Sequence, residues 1–250
     1  MSTAQPPASV LEAMIYDMVY LPKRDFAASA AYAVTLAERH LRSQPEQPRL
    51  LEVGCRTGLH LAAFPSSWTV EGSETEEAYR AIARSRLPQV TIHPDEPHNL
   101  ALGAHYDAIV CLFGMISRLH TMEQLNAGLN NLVTMLRPGG VLLIEPWHRP
   151  NMMKPRPQGD FTSSSGLGVA VARMSQLVGK EPEVDLTHHC HLGRTTRSGG
   201  ETVTPFSYTH RLRVHSPAEL RSAMQAAGLS DIWDDPGAPH GKGMLIGVRC

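Results

Sequence analysis

The segment Leu50-Leu51-Glu52-Val53-Gly54-Cys55-Arg56-Thr57-Gly58 constrains this chain more than any other. An apolar run passes into an acid and then into a turn punctuated by glycine. This is how the first strand of a nucleotide-binding α/β sheet hands over to its first helix. Glycine lets backbone approach a ligand where a Cβ would collide, and the turn aims free N–H groups at an anionic group. The acid before the first glycine discriminates further. A carboxylate there repels a pyrophosphate and welcomes a cationic amine. Taken alone, the turn also fits a strand–helix connection with no ligand, so the elements that follow carry the decision.

Those elements alternate. Residues 1–9 read as disordered, Val10 to Leu21 as a helix carrying Tyr16 and Tyr20, and Phe26 to Arg42 as an Ala-rich helix after the break at Pro22. Strand one is Arg49 to Val53. A short helix starts at Leu59, and strand two runs from Trp68 to the acid Glu74. Glu76 to Arg86 is a helix, and Val90 to His93 is strand three. Tyr106 to Phe113 is an almost uninterrupted apolar run, as a buried parallel strand should be. Met122 to Leu136 is a helix, stopped by Arg137-Pro138-Gly139-Gly140 before strand five, Val141 to Glu145. Strands alternating with helices predict an α/β fold with a doubly wound, Rossmann-like parallel sheet.

The texture changes after Pro150. Residues 151–166 read as a loop, and Val169 to Leu177, Val184 to Leu192 and Val203 to Val214 read as strands of a small antiparallel β platform. Arg194 to Gly200 is a basic turn. Ser216 to Ala227 is a helix with Ser216 as N-cap and Glu219 three residues on, a capping box, and Met244 to Val248 is a last strand. The predicted organisation is an N-terminal helical lid (1–45), a nucleotide-binding core (46–150), the platform (151–215) and a C-terminal helix and strand that complete the core sheet (216–250).

Composition narrows the function classes. A net charge of −1 offers no surplus for nucleic acid or an anionic membrane, and no apolar stretch approaches the ~20 residues of a spanning helix. Met1 to Ser9 has neither a basic nor an apolar signal region. Cys55, Cys111, Cys190 and Cys250 lack paired spacing, which suits free thiols in a reducing cytoplasm.

The acid and glycines of strand one, the acid ending strand two, Asp95 after strand three and Arg137-Pro138-Gly139-Gly140 before strand five form an ordered set. Together they resemble the class I S-adenosylmethionine (SAM)-dependent methyltransferases over most of residues 46–148. A closer resemblance covers nearly the whole chain. Tyr16-Asp17, Val70-Glu71-Gly72, Cys111-Leu112-Phe113, Glu145-Pro146-Trp147 and His210-Arg211-Leu212 look like the N,N-dimethyltransferases of deoxyamino sugars such as desosamine and mycaminose, and like related antibiotic-tailoring N-methyltransferases. The resemblance implies SAM as cofactor, methylation of an amine on a nucleotide-linked sugar, and a homodimer.

Carried over by residue, Glu52 meets the SAM amino group, and Gly54 and Gly58 let the methionine part pass close to backbone. Glu74 accepts from the ribose hydroxyls. Asp95 takes the adenine amine with Glu96 nearby, and Leu112 and Phe113 line the sulfonium. Tyr20, Cys55 and Arg56 join this cofactor wall. On the acceptor side, Tyr16 orients the amine, Arg118 shapes or charges the pocket, Trp147 forms an apolar wall, and His120 and His210 are further candidates.

Three departures stand out. Arg56 occupies a usual glycine position, where it either relaxes the turn or reaches the SAM carboxylate. Phe26 replaces an expected tyrosine, and Arg118 replaces a histidine beside the substrate amine. A fixed cation there favours a neutral amine, but it also suits a carboxylate or phosphate. An O-methyltransferase for a small acidic or hydroxylated natural product, with Arg118 holding the acid, is therefore the alternative. A binding protein with a decayed transferase site, betrayed by Arg56, is a third reading. His188-His189-Cys190-His191 invites a metal, but alternation splits it two and two across a strand, short of the three or four ligands zinc needs; no metal is expected. Trp147 and His210 each fit pocket or plain packing. Glu71 and Cys111 read as structural, and Arg194-Thr195-Thr196-Arg197 as a solvated hairpin or a diphosphate contact.

Overall fold

The computed structural model describes residues 5–100, 102–103, 105–148, 160–166, 168–195, 199–239 and 241–250. Seven strands form one sheet: β1 (Arg49–Val53), β2 (Thr69–Ser73), β3 (Ile92–His93), β4 (Tyr106–Cys111), β5 (Leu136–Ile144), β10 (Leu229–Asp235) and β11 (Met244–Arg249), in the order β10-β11-β5-β4-β1-β2-β3. β1 to β5 pair in parallel, and β11 runs antiparallel between β5 and β10. The strand order reverses between β1 and β4, so their carboxyl ends open a crevice where ligands of such sheets bind.

Alternation along the central strands supplies both faces of the core. Leu50, Ala108, Val110, Val141 and Leu143 pack under α2 (Phe26–His40) with Ala33, Leu36 and Ala37. Leu51, Val53, Ile109, Leu142 and Ile144 pack under α4 (Met122–Met135) and α5 (Pro217–Ala226). The helix expected after β1 shrinks to a single 3₁₀ turn, Leu61–Ala63. Pro65 explains this, because the residue before proline is steered to extended backbone, as Phe64 is.

The platform is a four-stranded antiparallel sheet, in order β6 (Asp160–Gly166), β7 (Val169–Lys180), β8 (Glu183–Thr195) and β9 (Glu201–Arg213). Residues 160–166 are thus a strand rather than loop. Their Ser/Thr-rich sequence lacks apolar alternation, and register with β7 makes the strand. β10 escaped the reading for a related reason: its register shifts between Ser230 and Trp233, with Asp231 at φ 46°. Ala8 and Ser9, expected to be disordered, begin α1 (Ala8–Tyr20). The loop expectation for 151–159 and the pair Thr196-Arg197 lie outside the described residues.

α1 joins the two sheets through three faces. Leu11, Ile15 and Val19, spaced by four, pack on Val171, Cys190, Leu192 and Phe206 of the platform. Glu12, Tyr16 and Tyr20, again spaced by four, face a cavity between platform and core. Ala13 packs against Tyr79 of α3 (Glu77–Arg86). One turn on, Asp17 accepts from Thr57 Oγ1 at 2.6 Å and pairs with Arg86, which also donates to the Thr57 carbonyl. The first residues after the glycine turn are thereby tied to α1.

The capping box on α5 is formed in both directions: Ser216 Oγ accepts from Glu219 N, and Glu219 accepts from Ser216 N at 2.7 Å. Ser216→Ala is expected to cost about 1 kcal/mol. Thermal unfolding should then shift down by roughly 2–4 °C, with methyl-donor affinity unchanged.

Candidate active site

The cavity encloses about 850 Å³. It runs from the carboxyl ends of β1, β2 and β4 to the inner face of the platform. Of the sixteen residues named from the sequence, fifteen line it: Tyr16, Tyr20, Glu52, Gly54, Cys55, Arg56, Glu74, Asp95, Glu96, Leu112, Phe113, Arg118, His120, Trp147 and His210. Gly58 does not. It lies at the far end of the turn, where a Cβ would meet Ala83 and Leu87.

Two buried carboxylates mark one half. Glu52 is 2% exposed; its Oε1 lies 2.9 Å from His60 Nδ1, and its Oε2 has no protein partner. A buried carboxylate oxygen without a donor is costly, so Glu52 Oε2 is open to a hydrogen-bond donor entering the cavity. Glu74 is held from behind by two backbone donors, Arg56 N on Oε2 at 3.1 Å and Glu76 N on Oε1 at 3.0 Å. Both oxygens are thereby oriented and keep lone pairs for further donors. Asp95 and Glu96 lie exposed at the outer end.

The turn keeps its tight form with arginine in the glycine position. Arg56 takes φ 52°, a left-handed backbone that disfavours a side chain. Its guanidinium lies 4.5 Å from the Tyr79 ring centroid and bonds Glu76 Oε1 at 3.3 Å. The same Glu76 oxygen accepts from Arg118 Nη2 at 3.0 Å. Arg118, expected to act as a fixed cation beside the acceptor, is therefore already tied to a carboxylate at the start of α3.

A second left-handed residue is Phe113, at φ 54°. Its N–H donates to Glu145 Oε2 at 2.8 Å, and Glu145 is clasped bidentately by Arg24 at 3.0 and 2.6 Å. The guanidinium also lies 4.6 Å from the Phe113 ring centroid. Next to it, Gly114 at φ 72° packs so tightly on Trp147 that a Cβ would lie 2.7 Å from the Trp147 Cα. Glycine is required there by both backbone and space, and it seats Trp147 in the wall.

The platform half is polar and cationic. Arg173, 4% exposed, donates to the Tyr20 hydroxyl at 3.0 Å and lies 5.0 Å from that ring. Among the described residues no carboxylate pairs with it. His188 lies 2.8 Å from Ser175 Oγ through Nδ1, and its Nε2 is buried without a partner. His210 Nε2 donates to Glu12 Oε1 at 2.9 Å. Arg211, on the other face of β9, is largely exposed and pairs with Asp185 at 3.4 Å, while Lys242, before β11, lies near Arg24 and Glu145. His189 and His191 point to the opposite, exposed face.

Sequence reading missed Glu12, Arg24, His60, Arg173, His188 and Lys242. For Glu12 the signal was present, since it precedes Tyr16 by one helical turn. Arg173 and Ser175 share a strand face, but nothing in the chain says which face meets the cavity. Arg24 and Glu145 are 121 residues apart, and no local pattern links them.

Comparison with known proteins follows the same outline. The family described as "Methyltransferase domain" matches residues 26–232. The dTDP-3-amino-3,6-dideoxy-alpha-D-glucopyranose N,N-dimethyltransferase of Streptomyces fradiae is 31% identical over 94% of this chain and 90% of its own length. The dTDP-3-amino-3,4,6-trideoxy-alpha-D-glucopyranose N,N-dimethyltransferase of Streptomyces venezuelae is 32% identical over 94% and 96%. Among solved structures, Streptomyces venezuelae DesVI matches with a TM-score of 0.85 at 31% identity, covering 96% of this chain and 98% of its own. SAM-bound CalS10, an amino pentose methyltransferase from Micromonospora echinaspora, matches with a TM-score of 0.75 at 28% identity, covering 99% and 100%.

The buried ion pair yields a pH signature. Burial alone would raise the Glu145 carboxyl, but the Arg24 hydrogen bonds and charge, with the Phe113 N–H, hold it below its ordinary value. A lowered folded value stabilises the fold above the unfolded value of about 4.3, and that contribution is lost as pH falls through the folded value. Glu145→Gln leaves Arg24 uncompensated and is expected to cost about 3–5 kcal/mol at pH 7. In urea titrations, its deficit against the parent protein should shrink steadily below about pH 4.3.

Proposed function

This chain belongs to the methyltransferase-domain family and is a SAM-dependent methyltransferase, and we propose that its acceptor is the amine of a nucleotide-linked amino sugar. The observation that carries this reading is Arg173, a buried cation on the cavity wall with no carboxylate partner among the described residues. A small neutral or cationic amine leaves such a group unmatched, whereas an acceptor carrying an anionic phosphate supplies its counter-charge. The 31–32% identity over 94% of the chain to enzymes named for dTDP-linked amino sugars supports the same class.

The residues present fit SAM. Glu52 offers an unpartnered buried oxygen for the ammonium, Glu74 offers two oriented oxygens for a vicinal diol, and Asp95 lies at the outer end for an exocyclic amine. Bound SAM supplies a methyl group on a sulfonium, already a good leaving group. The chain's part is to hold the acceptor nitrogen close and in line. Tyr16, buried and wedged between Tyr20 and Tyr79 with ring centroids at 4.7 and 5.4 Å, presents a rigid surface for that. Trp147 closes the apolar side. The Arg118–Glu76 pair argues against the O-methyl alternative, which needs Arg118 free to hold an acidic acceptor.

We further place the enzyme in the cytoplasm of a producer of amino-sugar natural products. Four free cysteines are compatible with this, and among the described residues no helix is long and apolar enough to cross a membrane. A homodimer is the proposed assembly. Its support is the exposed face of the platform, which carries Met174, Val178 and Val203; light scattering should return twice the 27.4 kDa chain mass.

The deciding experiment incubates the protein with SAM and dTDP-3-amino-3,6-dideoxyglucose and assigns the methylated atom by NMR. N-methylation supports the proposal, and methylation on oxygen or no turnover across amino-sugar nucleotides overturns it. Arg173→Met should raise KM for the acceptor by roughly 10–100-fold, the loss of a charge-assisted contact of about 1.5–3 kcal/mol. Donor affinity by calorimetry should stay within a few-fold.

A further inference from the structure

Three hydrogen bonds close a ring around the Glu74 carboxylate. The Arg56 N–H donates to Oε2 at 3.1 Å, the Glu76 N–H donates to Oε1 at 3.0 Å, and the Arg56 guanidinium returns to Glu76 Oε1 at 3.3 Å. Arg118 Nη2 donates to the same Glu76 oxygen at 3.0 Å. These side chains follow three neighbouring strands. Arg56 stands in the turn after β1, Glu76 follows β2, Arg118 follows β4, and the sheet order is β4-β1-β2. Glu76 thus gathers two cations beside the oxygens offered to the donor. Glu74 is 2% exposed and has no side-chain partner among the described residues.

Arg56 is the natural competitor for that carboxylate. Its own N–H already touches Glu74, and its side chain is largely buried, at 17% exposure. Burial opposes its charge, but Tyr79, then Glu74, Tyr16 and Glu12 outweigh burial and hold its pKa above the ordinary value. A buried guanidinium seeks a carboxylate, and a two-pronged clasp on Glu74 would occupy both oxygens. In the structure the guanidinium turns instead to Glu76 and to the Tyr79 ring, 4.5 Å from its centroid. The path of the chain has a separate anchor. Arg80, 9% exposed, donates to the Glu74 carbonyl at 2.7 Å and to the Thr75 carbonyl.

We propose that Glu76 is a positioning residue for the methyl donor, a counter-ion that keeps Arg56 off Glu74 so that both Glu74 oxygens stay open to the donor's vicinal diol. The inference rests on the Glu74 role given above and holds for any acceptor. Without the Glu76 carboxylate, Arg56 turns to Glu74, and the diol must displace a charge-assisted clasp. Arg118 approaches Glu76 from the β4 side and fixes its carboxylate in place. The role follows from arginine in the turn: with glycine at position 56 there is no guanidinium to divert.

The test is calorimetry of S-adenosylhomocysteine and its 2′-deoxy analogue with parent, Glu76→Ala and Glu76→Ala/Arg56→Gly proteins. The parent should bind the intact ligand roughly 10-fold or more tighter than the analogue, the worth of one hydrogen bond to a charged acceptor. Glu76→Ala should lose roughly 10–100-fold in affinity for the intact ligand and with it most of the discrimination. Adding Arg56→Gly should restore both to within a few-fold of the parent. Glycine accepts the left-handed φ of 52° and keeps the N–H that holds Glu74 Oε2. A merely structural loss would weaken both ligands alike and would not be reversed by a second substitution. Parent-like affinity in Glu76→Ala, or a loss that Arg56→Gly leaves in place, overturns the proposal. If Glu76→Ala fails to fold, Glu76→Gln, which keeps the side-chain shape and removes the charge, is read by the same criteria. A parent protein that binds the two ligands equally overturns the Glu74 role and the proposal with it, while the amino-sugar reading stands or falls on the methylated atom alone.

Discussion

The buried pair between Arg24 and Glu145 holds the donor end of the cavity together. Arg24 follows α1, Glu145 ends β5, and the Phe113 N–H that bonds the same carboxylate ends β4. One ion pair thus sets the spacing of three chain segments that are distant in sequence. Its charges are almost excluded from water, at 5% and 2% side-chain exposure. Such a pair contributes modestly while intact and costs several kcal/mol when one partner is removed. Its value lies in geometry. Phe113 in a left-handed turn and Gly114 pressed onto Trp147 constrain the chain just past β4.

α1 does the corresponding work on the acceptor side. Residues four apart share a helix face, so a single helix buries Leu11, Ile15 and Val19 in the platform while lining the cavity with Glu12, Tyr16 and Tyr20. Asp17 ties that helix to Thr57 and Arg86. The two sheets are therefore joined through the helix that also lines the cavity between them. A shift of α1 would move Tyr16 and the Glu12–His210 pair together.

Charge is divided unevenly along the cavity. Glu52, Glu74 and Asp95 place carboxylates along the part of the cavity formed at the strand ends. Arg173 is the buried cation of the platform half. Arg56 and Arg118 meet at Glu76 rather than opposing each other across the site.

Much of this was legible in the chain. β1 matched its expected bounds, the capping box of α5 formed as read, and the glycine-punctuated turn with its flanking acids led to the donor half. These features are local. A carboxylate at a strand end, a glycine turn and an i, i+3 cap depend on neighbours within a few residues, so sequence order by itself determined them, and with them the sheet and the donor class. Tertiary structure alone decided the acceptor half. Glu145 needed Arg24 from 121 residues away, His210 needed Glu12 from 198 residues away, and β6 became a strand only by pairing with β7. Arg118 changed from a free cation to half of an ion pair because α3 brought Glu76 to it. Charge and hydrogen-bond partners set what an ionisable side chain does, and those partners are neighbours in space rather than in sequence.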